Sequence, residues 1–258
     1  MTPKYLREKF KKDKNKAKAE YKKRLREAAA SHEIRMEEYY LTTGKSRPVD
    51  PPKRTVLEEV GNAVTHGLGA IFALVAFILM LIASDTPSEY LSAAIYFGGM
   101  FVMFTSSCLY HSFRHGSAVK RLFRRFDYSS IYLLIGATFA PVLICYFADS
   151  FGWTFLAVQW AIIALGISLI GVYGPSRLRY IHVPLYVVLG WSALALLPRL
   201  IEGSLPMAMW ILAGGIIYSV GIIPYAMKMK SSHFIWHFFV LGGAVVQWIG
   251  IYFYLFKI

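Results

Sequence analysis

The sequence predicts an all-α integral membrane protein, a bundle of seven transmembrane helices with a cytoplasmic N-terminus and an external C-terminus. Three observations predict this class. The composition is 56% hydrophobic and the mean hydropathy is +0.46, which is too apolar for an ordinary soluble domain. Seven apolar stretches reach about the ~20 residues that a helix needs to cross the hydrocarbon core. The Lys and Arg residues of the loops are concentrated in every second loop.

Most of the charged residues precede the first apolar stretch. Residues 1–54 hold 17 of the 28 Lys and Arg residues and 8 of the 15 Asp and Glu residues. We therefore divide the chain into a basic cytoplasmic tail with its linker, residues 1–54, and a membrane domain, residues 55–258. Within the tail, residues 4–40 are rich in Lys, Glu, Ala and Arg and are able to form a helix. Residues 42–53 have the Pro and Gly content of a linker.

Two interpretations of the basic tail remain open. It is either a solvated arm or a polybasic segment that lies on anionic lipid of the inner leaflet, where each basic residue contributes about 1 kcal/mol. The apolar residues Leu6, Phe10, Tyr21 and Leu25 are too sparse to define an amphipathic helix. We expect membrane lipids as partners, one of them as a candidate substrate, and we expect no nucleic acid partner.

The apolar stretches are bounded by Pro, Gly, Ser or charged residues, as the ends of membrane helices usually are. Several of them contain glycine, which membrane helices use for close packing. The fifth stretch is the shortest, because Pro198 and Arg199 follow it closely. The seven predicted spans cover about residues 63–84, 90–111, 128–148, 151–172, 180–198, 206–227 and 234–256.

The orientation follows from the excess of Lys and Arg in short cytoplasmic loops. The loops after the first, third and fifth spans are poor in basic residues and contain Asp85, Glu89 and Asp149. The loops after the second, fourth and sixth spans are basic and lie on the same side as the tail. Their basic residues are Arg114, Lys120, Arg121, Arg124, Arg125, Arg177, Arg179, Lys228 and Lys230. The pattern predicts an integral membrane protein, and we expect it in the plasma (inner) membrane of a bacterium.

The two cysteines, Cys108 and Cys145, lie inside apolar stretches and form no CxxC pattern. We therefore expect neither a disulfide framework nor a thiolate metal site. No signal peptide is expected either, because no apolar core region follows the basic N-terminus within about the first fifty residues.

Polar and ionisable residues inside the predicted spans lie at one depth, where such residues are costly and usually functional. Ser107 and His111 are four residues apart, on one face at the cytoplasmic end of the second span. Asp127 stands at the first turn of the third span. His233 and His237 occupy the first two turns of the seventh span. The predicted orientation places all five on the cytoplasmic side.

The start of the first span adds Glu59, Asn62 and His66 on roughly one helix face. Chance placement would scatter polar residues between the two ends of the bundle. Four segments instead deliver them to the same side, which indicates a functional site. We assign no individual role to these three residues.

The spacing of the histidines favours a metal site. Two His residues at i and i+4 on a helix project their imidazoles the same way and can chelate one ion. His111 is the best candidate for a third ligand beside His233 and His237. Three neutral imidazoles with an open fourth position are typical of catalytic zinc, which lowers the pKa of a bound water to about 7. Asp127 can hold that water and take its proton, and Ser107 can hydrogen-bond the water or a substrate carbonyl.

Each residue taken alone has a simpler interpretation. The pair His233 and His237 can be interfacial, and Asp127 can be an anion favoured at a helix N-terminus or paired with Arg124 or Arg125. Ser107 can bond back to the backbone of its own helix. The convergence of all five residues at one depth favours zinc.

These motifs resemble the haemolysin III family, which belongs with the adiponectin and progestin receptors in a superfamily that includes alkaline ceramidases. The resemblance covers about residues 55–258. It consists of four motifs in order: Glu59–x2–Asn62–x3–His66, Ser107–x3–His111, Asp127 and His233–x3–His237.

The resemblance implies a seven-helix bundle with a cytoplasmic N-terminus and a zinc site at the inner leaflet. The family's three zinc ligands fall on His111, His233 and His237. Its aspartate that holds the zinc water falls on Asp127, and its serine falls on Ser107. The Glu–Asn–His motif is a family feature that we do not assign to the metal.

Three functions remain open. The first is a zinc-dependent hydrolase of lipid amide or ester bonds, like a ceramidase, because the site lies where an acyl chain meets its headgroup. The second is a cytolytic or pore-forming haemolysin in which zinc is structural, although no wide polar channel lining is present in the sequence. The third is a lipid-sensing receptor with structural zinc.

Overall fold

The protein is described by a computed structural model that covers residues 3–43, 51–227 and 231–257. The chain forms two compact units, Met1–Asp50 and Pro51–Ile258. Most of the predicted linker and the basic residues Lys228 and Lys230 lie outside the described residues.

The first unit contains one long helix, α1 (Pro3–Thr43). Its described side chains are almost all exposed, and Phe10 and Tyr21 keep 71% and 65% of their surface accessible. Ion pairs four residues apart support the helix: Arg24 bonds to Glu20 at 2.9 Å, and Lys23 lies 3.9 Å from Glu27. The helix expected in the tail is therefore present, and its apolar residues define no buried face.

In the described residues of the second unit, all regular elements are helices, and six of these helices are long and apolar enough to cross a membrane. An integral membrane helical bundle is therefore confirmed, whereas the seventh span and the orientation of the termini stay predictions. The helices are α2 (Val56–Ala83), α3 (Pro87–Ser112), α4 (Ala118–Pro141), α5 (Ser150–Tyr173), α6 (Arg179–Trp191), α7 (Leu197–Ala226) and α8 (Ser232–Ile251).

Local sequence signals set the starts of several helices. Thr55 and Glu58 form a capping box at the start of α2, and Thr86 and Glu89 form another at the start of α3. The Ser117 side chain accepts from the backbone N–H of Lys120 at the start of α4. Helices α2 and α4 therefore begin several residues before the predicted spans. The first turn of α4 carries Lys120 and Arg121, which the prediction had left in a loop.

The fifth predicted span differs most from the structure. Helix α6 is only 13 residues long and continues as a 3₁₀ turn, Ser192–Ala195. Helix α7 then begins at Leu197, because Pro198 occupies its first turn, a position that suits proline, instead of ending a helix. A kink at Ser204 interrupts α7 where the sequence had suggested a loop.

Contacts at the helix ends define two ends of the bundle. Arg125, near the start of α4, donates to the carbonyl oxygen of Gly171, near the end of α5, at 2.9 Å. At the other end, Arg199 donates to Asp149, the cap of α5, at 2.8 Å. The chain therefore runs from one end to the other between Gly171 and Arg199. Helix α6 and its 3₁₀ turn cover about 28 Å of this path at ~1.5 and ~2.0 Å per residue.

The main core joins α2, α3, α4, α7 and α8, and a smaller core joins α4, α5 and α6. Gly99 of α3 lies so close to α4 that an added Cβ would collide with the Ala137 side chain and approach the Leu133 carbonyl. Gly243 of α8 likewise lies against the Tyr218 ring of α7. Close helix contacts of this kind hold the ends of α3 and α8 at fixed positions.

Candidate metal centre

Three histidines from two helices converge at one end of the bundle. His111 lies in the last turn of α3, and His233 and His237 lie in the first two turns of α8. The Nε2 atom of His233 is 3.2 Å from Nε2 of His111 and 3.3 Å from Nε2 of His237. His111 and His237 are buried, and His233 is partly buried. The structure thus brings together the three predicted ligands.

The hydrogen bonds of the outer ring nitrogens decide which atoms face the centre of this group. Nδ1 of His237 lies 3.2 Å from the backbone oxygen of Asn62, which can only accept, so this Nδ1 carries the proton. Nδ1 of His111 lies 2.6 Å from Oε2 of Glu59, which makes it a donor to the carboxylate. The Nε2 atoms of His111 and His237 are therefore unprotonated, and their lone pairs are available at the centre of the three-histidine group.

Such a set of lone pairs fits a metal ion. With metal–nitrogen distances of ~2.0–2.1 Å, two ligands of a tetrahedral zinc site are about 3.3 Å apart. The separations of 3.2 and 3.3 Å in this group agree with that value. Imidazole donors suit Zn²⁺ and other transition metals better than Mg²⁺ or Ca²⁺. A buried three-histidine group that is able to bind a metal ion is therefore present.

The polar residues at the start of α2 surround the histidines. Oε1 of Glu59 lies 3.0 Å from Nζ of Lys120, while its Oε2 contacts His111. The Asn62 side-chain nitrogen is 3.3 Å from Nδ1 of His111. The ring of His66 stacks on His237 with centroids 3.7 Å apart. Glu59, Asn62 and His66 thus contact His111 and His237 at their Nδ1 atoms or ring faces, away from the Nε2 atoms.

Asp127 and Ser107 lie beside the three histidines without joining them. Both residues are buried and line a cavity together with His233 and His237. The Asp127 carboxylate interacts with the neighbouring Ser107 side chain and, electrostatically, with the His111 ring and the Arg54 side chain. Asp127 is outside the group of side chains whose ligand atoms lie within 4.8 Å of one another. Its place in α4 is nine residues after the helix start, instead of the predicted first turn.

The sequence analysis missed the roles of two basic residues. Lys120 served there only as a loop charge, and Arg124 as a loop charge or a partner of Asp127, but both are buried in α4. A signal was present, because Lys120, Arg124 and Asp127 are spaced four and three residues apart and so share one helix face. It was overlooked because the predicted third span began at residue 128.

An apolar cavity of about 220 Å³ extends from the candidate metal centre into the bundle. Its walls come mainly from α4, α6, α7 and α8. Along α4 it runs from Asp127 to Val142, a distance of about 22 Å at ~1.5 Å per residue. Apart from the polar groups at the histidine end, most lining residues are aliphatic or aromatic, such as Ile131, Leu196 and Ile251.

Comparisons with known proteins bear on the whole membrane domain. A family model described as "Haemolysin-III related" matches residues 54–248. Hemolysin-3 of Bacillus cereus is 36% identical over 205 residues, which cover 78% of this chain and 93% of the relative. The Hemolysin-3 homolog of Bacillus subtilis (strain 168) is 33% identical over 209 residues, 79% of this chain and 97% of the relative. The monocyte to macrophage differentiation factor of Homo sapiens is 27% identical over 217 residues, 80% and 87% of the two chains.

Proposed function

The chain belongs to the haemolysin III family, within the wider group of PAQR proteins, and from this premise we propose a zinc-dependent hydrolase of lipid amide or ester bonds. Its apolar helices and bacterial relatives make it an integral plasma-membrane protein. The observation that carries the proposal is the position of the three histidines at the mouth of an apolar cavity that also holds Asp127 and Ser107.

In this proposal His111, His233 and His237 hold the ion and leave one side open to the cavity. A bound zinc ion supplies Lewis-acid chemistry and activates water near neutral pH. Glu59 and the backbone oxygen of Asn62 orient two of the rings, since they accept from Nδ1 of His111 and His237.

Asp127 acts as the general base of the proposed reaction. Its carboxylate accepts a proton from the water that attacks the substrate carbonyl carbon. The bond from that carbon to nitrogen or oxygen then breaks, and Asp127 delivers the proton to the leaving amine or alcohol. Ser107 lines the cavity beside Asp127 and donates its single hydroxyl proton to the carbonyl oxygen of the bound substrate. The products are a fatty acid and an amine or an alcohol.

The cavity suits the acyl chain of the substrate. A chain inside it would bury apolar surface against α4, α6, α7 and α8, each Å² contributing about 25 cal/mol. The histidines lie at one end of this cavity, where the acyl carbonyl would sit. Helix α6 belongs to the smaller core and not to the main one, which favours lateral entry of a lipid beside it.

We also propose that α6 and its 3₁₀ turn form a seventh crossing, so that the N-terminus is cytoplasmic and the C-terminus external. The contacts at Gly171 and Arg199, at opposite ends of the bundle, support this proposal. So does the length of about 28 Å, which nearly matches a hydrocarbon core of ~30 Å. Residues 1–54 then form the cytoplasmic tail, with anionic inner-leaflet lipid as its proposed partner.

A lytic protein with structural zinc is the second candidate. The printed name of the Bacillus cereus relative, Hemolysin-3, favours it. In that case the ion would only tie the end of α3 to the start of α8. The apolar lining of the cavity counts against a water-filled pore.

One experiment separates these candidates. The full chain is purified in detergent, its zinc is measured by mass spectrometry, and the release of fatty acid from a long-chain ceramide and from a phosphatidylcholine is followed. We expect bound zinc, acyl release from one of the lipids, loss of release with a chelator and recovery with added zinc. Zinc-loaded protein that releases no fatty acid but makes lipid vesicles leak would establish the lytic alternative.

A further inference from the structure

Lys120 is fully buried although it lies in one of the basic segments that indicate orientation. Its ammonium group has three protons, and three partners surround it. Nζ lies 3.0 Å from Oε1 of Glu59 and donates to the Phe113 carbonyl oxygen at 3.0 Å. The Tyr110 ring centroid is 4.8 Å away, within the range of a cation–π contact. A buried ammonium that is held by two oxygen atoms and an aromatic ring is fixed in position.

The carboxylate of Glu59 lies between this ammonium and the candidate metal centre. One oxygen contacts Lys120 at 3.0 Å and the other contacts Nδ1 of His111 at 2.6 Å. The side chain of Glu59 is 16% exposed, whereas those of Lys120 and His111 are 1% and 0% exposed. Glu59 therefore has a path to water that its two partners lack.

Lys120 also contacts the end of α3, and these contacts fix its ammonium group relative to His111. Tyr110 is the neighbour of His111, and Phe113 follows it by two residues at the end of α3. The ammonium group of Lys120 thus contacts the residues on both sides of His111. It also contacts the Glu59 carboxylate, which bonds to the His111 ring. Glu59 comes from α2 and Lys120 from α4, so three helix ends meet at this point.

We propose that Lys120 is a positioning residue that acts through Glu59 to hold the His111 ring with Nε2 towards the metal. The inference rests on the metal site of the proposed function and not on hydrolysis. Without the ammonium, the Glu59 side chain turns out to water and no longer accepts from Nδ1. The His111 ring is then free to rotate about χ2, and its Nε2 leaves the direction shared with His233 and His237.

The test is a double-mutant cycle on the full chain in detergent, with zinc affinity measured by competition with a chelator of known affinity. Residues that orient a metal ligand typically change the affinity by about 10–100-fold. We expect Glu59→Gln and Lys120→Met each to weaken binding within that range. The double variant should bind no more weakly than Glu59→Gln alone, because Lys120 acts through Glu59.

Arg121→Met is the matched control, since it removes a positive charge from the next residue of the same helix turn. It should leave zinc affinity unchanged. The absorption spectrum of the Co²⁺ form supplies a second readout: Lys120→Met should alter the ligand-field bands, whereas Arg121→Met should not. Lys120→Gln keeps neutral donors for Glu59 and Phe113 and serves for the same cycle if the methionine variant does not fold.

Wild-type affinity in Lys120→Met, combined with weak binding in Glu59→Gln, would overturn the inference. Losses that add in the double variant would also overturn it, because Lys120 would then act by packing alone. Absence of zinc binding in the unaltered protein would instead overturn the proposed function, so the two failures are distinguishable.

Discussion

The two ends of the bundle carry ion pairs of nearly equal length in opposite environments. Glu59 and Lys120 lie 3.0 Å apart at the histidine end, where their side chains are 16% and 1% exposed. Asp149 and Arg199 lie 2.8 Å apart at the other end, and both are about half exposed. Distance therefore does not distinguish them. The buried pair continues into His111, whereas the exposed pair caps α5 and stacks on Phe147.

This comparison shows that the burial and the partners of a charged residue in a membrane protein, and not the length of its ion pair, indicate whether it has a role. A buried charge is costly unless it is paired, so its retention indicates a role. An exposed pair is screened by water and contributes little. We therefore expect changes at the histidine end to alter metal binding and activity, and equivalent changes at the other end to alter neither.

The comparison assumes that the histidine end and the Asp149–Arg199 end of the bundle lie on opposite sides of the membrane, and it would be wrong if they lay on the same side. Reporter proteins fused after Gly174 and after Arg199 test this directly, because α6 and its 3₁₀ turn lie between these positions. We expect the first fusion to report the cytoplasm and the second to report the outside. Two fusions on the same side would mean that α6 does not cross.

The largest effect of a single substitution is expected at the histidines. His237→Ala removes one of three ligand candidates, so the affinity for zinc should fall by more than the ~10–100-fold typical of residues outside the ligand set. Zinc measured by mass spectrometry should be nearly absent. His182→Phe is the control, since this buried histidine bonds to Tyr132 and lies outside the three-histidine group. Equal zinc contents in the two variants would contradict the assignment.

The next largest effect is expected at Asp127, and Asp149 at the other end of the bundle serves as its control. Asp127→Asn should keep zinc near stoichiometric and lower lipid turnover by about 100–10,000-fold, because an amide takes no proton from water. Asp149→Asn makes the same chemical change at the other end and should leave both quantities unchanged. If Asp127→Asn loses its zinc as completely as His237→Ala, Asp127 is a ligand and not a base.

The smallest effect concerns stability in acid. The backbone N–H of Gly152 and the Arg199 guanidinium keep the pKa of Asp149 below its ordinary value. The ionised form is thus favoured by folding, and its contribution is present above about pH 3.9 and is lost as the pH falls towards the lower folded pKa. Melting temperatures in detergent should therefore differ slightly between wild type and Asp149→Asn at pH 6 and converge as the pH falls through the lowered folded pKa of Asp149. A constant difference would mean that Asp149 acts without its charge.

Hydropathy was sufficient to predict most of the membrane helices, because an apolar run of ~20 residues has few alternatives to a spanning helix. It was insufficient around Pro198, where one proline is equally compatible with the end of one helix and the first turn of the next. It also misplaced the starts of α2 and α4, because capped first turns are polar and hydropathy counts them as loops.

The histidines of the candidate site were predictable because their spacing within helices is a local property. The contact between Glu59 and His111 was not, since it joins residues 52 positions apart through the packing of α2 against α3. Lys120 shows most clearly what could not be predicted from the sequence. Its charge led to its assignment to a loop, whereas it lies in α4, and only the fold brings its ammonium group to Glu59.

The separation of the histidines along the chain has a consequence for biogenesis. His111 and His233 are 122 residues apart, and the latter lies in the first turn of α8. An ion that needs all three rings is captured only after α8 has entered the bilayer, and it then closes a loop that spans most of the domain. Metal loading would therefore follow the insertion of α8, and a chain that stalls before α8 would be recognised by its failure to load.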